Sequence, residues 1–124
     1  LCVNNHSCPS SISQYAGLEA LKGPQEDLNK IIIEFQKRKE FLHKEINKLS
    51  KISCFKPGGA FYAFPNISKT GLTGKEFSDL ALEKKGVALV PGKSFGDKAD
   101  NYVRISFANS LAKIEEAIKR ISTI

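Results

Sequence analysis

The chain has 124 residues, of which 41% are hydrophobic, and its 19 basic and 13 acidic residues give a net charge of +6. This length predicts one domain with a core of ordinary size. The apolar runs fall short of the roughly 18 to 20 residues that a membrane span needs, so we expect no membrane segment. The lysines accompany glutamates on predicted helices, as in "KRKEFLHKEINK", which argues against a nucleic-acid-binding face.

Cysteine usage predicts a reducing compartment and a cytoplasmic protein. Cys2, Cys8 and Cys54 are odd in number and lack metal-ligand spacing. We interpret the position of His6 between two of them as chance proximity, so no metal site is predicted. The sequence starts with Leu1 and shows no signal-peptide pattern. We therefore expect it to be the downstream part of a longer protein.

Two helices are predicted in the first part of the chain. Ser10 or Ser11 can cap a helix that reaches Lys22, and Gly23 suits the left-handed residue that ends it. A longer helix begins at Pro24, with apolar residues at alternating steps of four and three. Such a stripe fits a coiled-coil seam or a long helix packed on its own protein, and we favour the second. The stripe consists of Leu28, Ile32, Phe35, Leu42, Ile46 and Leu49, with Lys39 as its one polar member.

The rest of the chain alternates strands and helices. The predicted strands are "ISCF" (52–55), "AFYAF" (60–64), "VALV" (87–90) and "YVRISFA" (102–108). Thr73 and Glu76 have capping-box spacing at the start of a helix that Gly86 ends, and Ser110 caps the last helix. The order predicts an α+β fold, in which helices cover a small antiparallel or mixed sheet and a long helix precedes it.

Arg104 lies in the middle of the last predicted strand, on the face opposite its apolar residues. A guanidinium group is costly to desolvate unless it meets an anion. Its planar fork of donors matches a carboxylate or a phosphate. From the strand alone two interpretations stay open, namely a binding site for an anionic ligand and an internal ion pair with Asp97, Asp100 or a helix glutamate.

Several motifs together resemble the C-terminal part of class I pyridoxal-phosphate (PLP)-dependent aminotransferases, most closely the bacterial-type aspartate aminotransferases. They are "SCPSSISQYAGLEAL" (7–21), "KPGGAFYAFPNIS" (56–68), "GVALVPGKSFG" (86–96) and "YVRISFA" (102–108), in the family's order. The resemblance implies part of the fold-type I PLP transferase architecture. It implies that residues 1–22 end the large cofactor domain, 23–50 form the interdomain helix and 51–124 form the small C-terminal domain.

The resemblance also implies a role for individual residues. Arg104 matches the arginine that pairs with the α-carboxylate of the amino-acid substrate. Phe95 and Gly96 match the loop that approaches the substrate, where Phe95 either contacts substrate or packs beneath the loop. The family often has Asn where this chain has Cys8, which leaves open how residues 4–8 contribute to a site.

The cofactor machinery of the family lies outside the motifs found here. No lysine of this chain lies in a motif that matches the Schiff-base lysine, so we expect the chain alone to be inactive and to bind no PLP. The implied parent is a PLP-dependent homodimer that transfers an amino group between an amino acid, aspartate-like by resemblance, and a 2-oxo acid. The large domain of the same enzyme would be a partner. The alternatives are a related PLP lyase and a free-standing binding or interaction domain.

Overall fold

A computed structural model describes residues 8–124, which divide into two compact units, one ending at Ile32 and the other spanning Ile33–Ile124. The predicted absence of a ligand cluster at Cys2 and His6 concerns residues outside this range, whereas Cys8 lies within it and is exposed. Across residues 8–124, no helix combines the length and the apolar character needed to cross a membrane.

The first helix, α1 (Ser11–Lys22), lies where it is predicted. The second, α2 (Glu26–Ile46), is shorter than predicted, because it begins two residues after Pro24 and ends three residues before Leu49. Ser10 caps α1, because its side-chain oxygen accepts a hydrogen bond from the backbone N–H three residues further on. The prediction of a left-handed Gly23 is wrong, since its φ is −72° and its backbone is extended. The following Pro24 explains this, because a proline ring disfavours helical backbone at the residue before it.

The predicted apolar stripe of α2 is buried only in its second half. Leu42 and Ile46 are buried, whereas Leu28 and Ile32 each expose about half of their surface, at 50% and 54%. The helix also ends at Ile46, so Leu49 of the predicted stripe lies beyond it. The exposed first half of α2 is therefore an apolar surface that the described residues do not cover.

The sheet has three strands, β1 (Tyr62–Ala63), β2 (Val90–Pro91) and β3 (Val103–Ser106), and the last two helices are α3 (Gly74–Lys85) and α4 (Leu111–Ile121). The strands are antiparallel and lie in the order β1-β3-β2. The sequence places β3 near the end of the chain, yet it is the central strand. The predicted α+β class, with helices against a small antiparallel sheet, is confirmed.

Residues 52–55 do not form the predicted strand. Ser53 makes a single antiparallel bridge with Asn66. The backbone of Cys54 is instead satisfied by one side chain, since Asn47 accepts a hydrogen bond from its N–H at 2.9 Å and donates to its carbonyl at 3.0 Å. An asparagine therefore takes the place of a neighbouring strand here.

The ends of α3 and the start of α4 follow their predicted signals. The Thr73 hydroxyl accepts from the Glu76 N–H, and the Glu76 carboxylate accepts from the Thr73 N–H at 2.8 Å. The hydrogen bond from the Thr73 N–H, together with one that the Thr73 hydroxyl donates to the same carboxylate, lowers the pKa of Glu76. Gly86 ends α3 in the left-handed conformation with φ 64°, and the Ser110 side chain caps α4.

The core lies on one face of the sheet. Val103 and Phe107 point into it and are 1% and 0% exposed. They share the same buried cluster with Leu42 of α2, Phe77 of α3 and Ile118 of α4. Because side chains alternate along a strand, the burial of Val103 puts its neighbour on the opposite, open face of the sheet. That neighbour is the arginine of the candidate site.

Candidate functional site

Arg104 lies on the central strand and on the face of the sheet away from the core. It pairs with Val90 of β2, while Ser106, two residues further along β3, pairs with Tyr62 of β1. Arg104 is half-buried. The central position fixes its backbone from both sides, because β3 is hydrogen-bonded to a neighbour on each edge.

Two aromatic rings contact the guanidinium group of Arg104. Its Cζ lies 4.3 Å from the ring centroid of Tyr62 and 4.7 Å from that of Phe95. Tyr62 belongs to β1 and Phe95 ends a short 3₁₀ helix, Gly92–Phe95, that follows β2. The rings therefore come from elements that flank β3 on opposite sides, and both distances are those of cation–π contacts. We call Tyr62 and Phe95 the aromatic pair.

Further rings support the aromatic pair. Phe64 meets Phe95 edge-to-face, with centroids 5.8 Å apart and planes at 86°. Tyr102 stacks on Phe64, with centroids 5.2 Å apart and planes at 8°. Both arrangements are favourable for aromatic side chains. The position of Phe95 beside Arg104 is thus fixed by a row of rings along the open face of the sheet.

Arg104 has no anionic partner among residues 8–124. The ion pairs in this range do not include it, and neither Asp97 nor Asp100 forms a hydrogen bond with its side chain. The internal ion pair considered from the sequence is therefore not present in the part of the chain that is described. The guanidinium N–H groups are available to a ligand instead, and two of them match the two oxygens of a carboxylate.

The loop after β2 brings Phe95 to Arg104. Gly92 begins this loop and donates its N–H to the carbonyl of Tyr102 at 2.8 Å. A Cβ at Gly92 would collide with the backbone carbonyls of Ala99 and Tyr102, so two chain segments can meet here only through a glycine. Gly96, directly after Phe95, has φ 146° and open space around it. Its contribution is a backbone conformation that other residues rarely adopt.

The structure therefore joins two of the three predicted site residues in direct contact, Arg104 and Phe95, with Gly96 adjacent. Sequence reasoning missed Tyr62, Phe64 and Tyr102 as parts of the site and treated them only as strand residues. A signal for them existed. Tyr62 and Phe64 are two positions apart, as are Tyr102 and Arg104, so each two share a face of their own strand. The pairing of Tyr62 with Ser106 then puts all four on one face of the sheet.

A separate groove on the surface contains a different arginine, which already has an anionic partner. A groove of about 610 Å³ is lined by residues 86–89 and α4, and Arg104 is not among its lining residues. The arginine that does line it, Arg120, pairs with Glu116 at 2.8 Å and donates to the Lys85 carbonyl at 3.2 Å. The same ion pair lowers the pKa of Glu116. The charge of Arg120 is thus already neutralised by Glu116.

The fold and its central-strand arginine define a class of protein that a family comparison also identifies. Residues 2–121 match the family described as aminotransferase class I and II, and the chain belongs to this family. The resemblance drawn from the sequence motifs is thereby confirmed.

Individual relatives agree with this assignment. An aspartate aminotransferase of Pyrococcus abyssi is 41% identical over 97% of this chain and 31% of its own length. A probable N-acetyl-LL-diaminopimelate aminotransferase of Bacillus subtilis is 41% identical over 94% of this chain and 30% of its own. The crystal structure of an aromatic aminotransferase from Pyrococcus horikoshii superimposes with a TM-score of 0.91 at 40% identity, over 98% of this chain and 32% of that one. The chain thus spans about a third of the relatives it matches.

The family is PLP-dependent, so the site can be tested for residues that fit this cofactor. The side chains that contact the Arg104 guanidinium are the aromatic rings of Tyr62 and Phe95, and neither can form an imine with an aldehyde. The arginine itself suits a carboxylate better than an aldehyde. We therefore assign neither these rings nor Arg104 to the cofactor and treat Arg104 as a candidate substrate ligand.

Proposed function

We propose that this chain is the C-terminal, substrate-clamping part of a PLP-dependent aminotransferase and that Arg104 binds the α-carboxylate of the substrate. One observation carries the proposal, which is that a half-buried arginine on the central strand has no anionic partner among residues 8–124. Nearly complete overlap with a family of aminotransferases supports it. Phe95 and Gly96 are proposed to form the loop beside the bound substrate.

The chemistry follows from what an amino acid and a 2-oxo acid have in common. Both contain a carboxylate next to the reacting carbon, so one arginine can orient both halves of the reaction. Two parallel hydrogen bonds from a planar guanidinium fix the direction of that carbon as well as its position. PLP, when bound in the full-length enzyme, would supply the aldehyde chemistry by which an amino group is transferred between the two substrates. The proposed role of this chain is to bind the substrate carboxylate and to orient the reacting carbon next to it.

Aspartate or a similar amino acid is the proposed donor, because several of the most similar relatives are aspartate aminotransferases. A relative with the same identity is named for a different amino-acid substrate, N-acetyl-LL-diaminopimelate. The Arg104 site recognises only the group common to all of them. The choice of side chain is therefore proposed to depend on residues elsewhere in the enzyme.

We propose that residues 1–22 end a large cofactor domain, that 23–50 link the domains and that 51–124 form the small domain. Exposed apolar side chains on the first two helices support this division, with Ile12 81% and Leu21 84% exposed on α1. A large domain and the second subunit of a homodimer are the proposed partners of this surface. The chain alone is proposed to be inactive, and the enzyme to be cytoplasmic, where free Cys8 and Cys54 stay reduced.

The test is the visible absorption spectrum of the full-length protein purified with PLP. The expected result is a cofactor band that bleaches with an amino donor such as aspartate and returns when a 2-oxo acid is added. Analysis of the products then separates transfer, which gives a keto acid and a new amino acid, from elimination, which gives ammonia and pyruvate. A folded protein without any cofactor band would overturn the proposal and leave a binding domain as the function.

A further inference from the structure

We infer that Tyr62 and Phe95, the aromatic pair, are positioning residues that fix the plane of the Arg104 guanidinium so that its edge meets the substrate carboxylate. The inference rests on the proposed function. It goes further because it assigns the orientation of the arginine to two side chains that need not touch the substrate.

The first step concerns which surfaces of the guanidinium stay available. The ring centroids of Tyr62 and Phe95 lie 4.3 Å and 4.7 Å from Cζ, so the guanidinium lies over both rings. All N–H donors of a guanidinium lie in its plane. No acceptor among residues 8–124 takes these donors, so the N–H edge stays available, and a carboxylate that lies in the guanidinium plane can accept two hydrogen bonds at once.

The second step concerns what else restrains the side chain. Within residues 8–124, the Arg104 side chain makes no hydrogen bond and no ion pair, so its known attachments are the two cation–π contacts. An arginine without such contacts samples many rotamers, and this freedom is lost when a ligand binds. Contacts that restrict the rotamers beforehand reduce that loss and so strengthen binding.

The third step concerns how firmly the rings are held. Tyr62 lies on β1, with its ring 4.5 Å from that of Phe61, and Phe95 meets the edge-on ring of Phe64. Each member of the aromatic pair thus contacts another aromatic ring in addition to Arg104. A pair that is itself supported can determine the orientation of the arginine.

The experiment uses the full-length enzyme and steady-state kinetics with the amino donor identified by the spectrum. Tyr62→Leu and Phe95→Leu should each raise KM by about fivefold, the upper end of the loss expected for a cation–π contact with partly exposed rings, and leave kcat within about twofold. KM is the sensitive constant, because the carboxylate is bound equally in the ground state and the transition state. Tyr62→Phe and Phe95→Tyr keep a ring at each position, so each should raise KM clearly less than the leucine variant at the same position.

A second background separates positioning from a general structural effect. In Arg104→Gln enzyme no cation remains for the ring to orient, so Tyr62→Leu should then lower kcat/KM by less than about twofold. Equal losses in both backgrounds would show that Tyr62 acts independently of Arg104 and would overturn the inference. Tyr62 and Phe95 belong to different secondary-structure elements. If the melting curve shows that one leucine variant is misfolded, the other variant still tests the inference.

The outcomes also distinguish this inference from the proposed function. If Arg104→Gln leaves KM unchanged, the arginine does not bind substrate and the proposed function of Arg104 fails. If Arg104→Gln weakens binding while both leucine variants keep wild-type KM, the carboxylate role stands and only the positioning inference fails.

Discussion

The replacement Arg104→Lys tests the proposed site most directly, because it keeps the positive charge and removes the planar fork. A lysine ammonium is a compact charge whose three N–H groups do not form a parallel pair toward one carboxylate. It also makes a poorer flat contact with the rings of Tyr62 and Phe95, which now lie within 4.7 Å of the guanidinium carbon.

The expected magnitude follows from these two losses. One charge-assisted hydrogen bond to the carboxylate contributes about 1.5 to 3 kcal/mol, and the poorer ring contact costs about 0.5 to 1 kcal/mol. Together they amount to about 2 to 4 kcal/mol of transition-state stabilisation, which lowers kcat/KM by about 30- to 900-fold. Most of the loss is expected in KM, since the carboxylate is bound throughout the reaction.

The assay is the initial rate of amino transfer by full-length enzyme at several donor concentrations, with Arg120→Lys as the matched control. Arg120 is also an arginine of this chain, but it pairs with Glu116 on the surface of α4 and lies outside the proposed site. The control should stay within about twofold of wild type, as expected for an exposed ion pair. Unaltered kinetics in Arg104→Lys, or an equal loss in both variants, would refute the assignment.

Three further predictions concern the scaffold. Phe107→Ala removes a ring that is 0% exposed, so the free energy of unfolding measured in urea should fall by about 3 to 5 kcal/mol, and a loss below about 1 kcal/mol would contradict the described core. The pKa of Glu76 is lowered by hydrogen bonds from Thr73, so its stabilisation is present above the unfolded value of 4.5 and is lost as the pH falls through the lower folded value. The gap in melting temperature between wild type and Glu76→Gln should therefore be visible at neutral pH and narrow as the pH falls below 4.5, and a constant gap would disprove this. Burial raises the pKa of the Cys54 thiol, so iodoacetamide should label Cys54 in denaturant but hardly at all in the native protein at neutral pH, as peptide mapping can check.

The fold could be predicted where the determining interactions are local. The capping box of Thr73 and Glu76 and the left-handed Gly86 depend on residues a few positions apart, and both are found. The error at residues 52–55 has the opposite cause. The apolar pattern there is that of a strand, but the Asn47 side chain satisfies the backbone of Cys54 and leaves one bridge in place of a ladder. A competition between a side chain and a strand cannot be seen in the pattern.

The candidate site divides in the same way. Alternation along the strand places Arg104 on the open face, and this follows from a period of two alone. The contact with Phe95 depends instead on the path of a loop, which is set by the close approach at Gly92 and by the unusual backbone of Gly96. Neither the path nor the resulting 4.7 Å contact is encoded in a short-range pattern.

The close crossing at Gly92 has a consequence for how substitutions in this region would be tolerated. Saturation mutagenesis scored by growth would find Gly92 among the least replaceable positions, because any added Cβ meets backbone carbonyls that cannot rotate away. Tyr62 should accept other aromatic residues in the same screen, although it lies directly against Arg104. The position least tolerant of substitution would thus be the glycine where two chain segments cross, ahead of the side chains that surround Arg104. How well a position tolerates substitution therefore does not follow from how close it lies to Arg104.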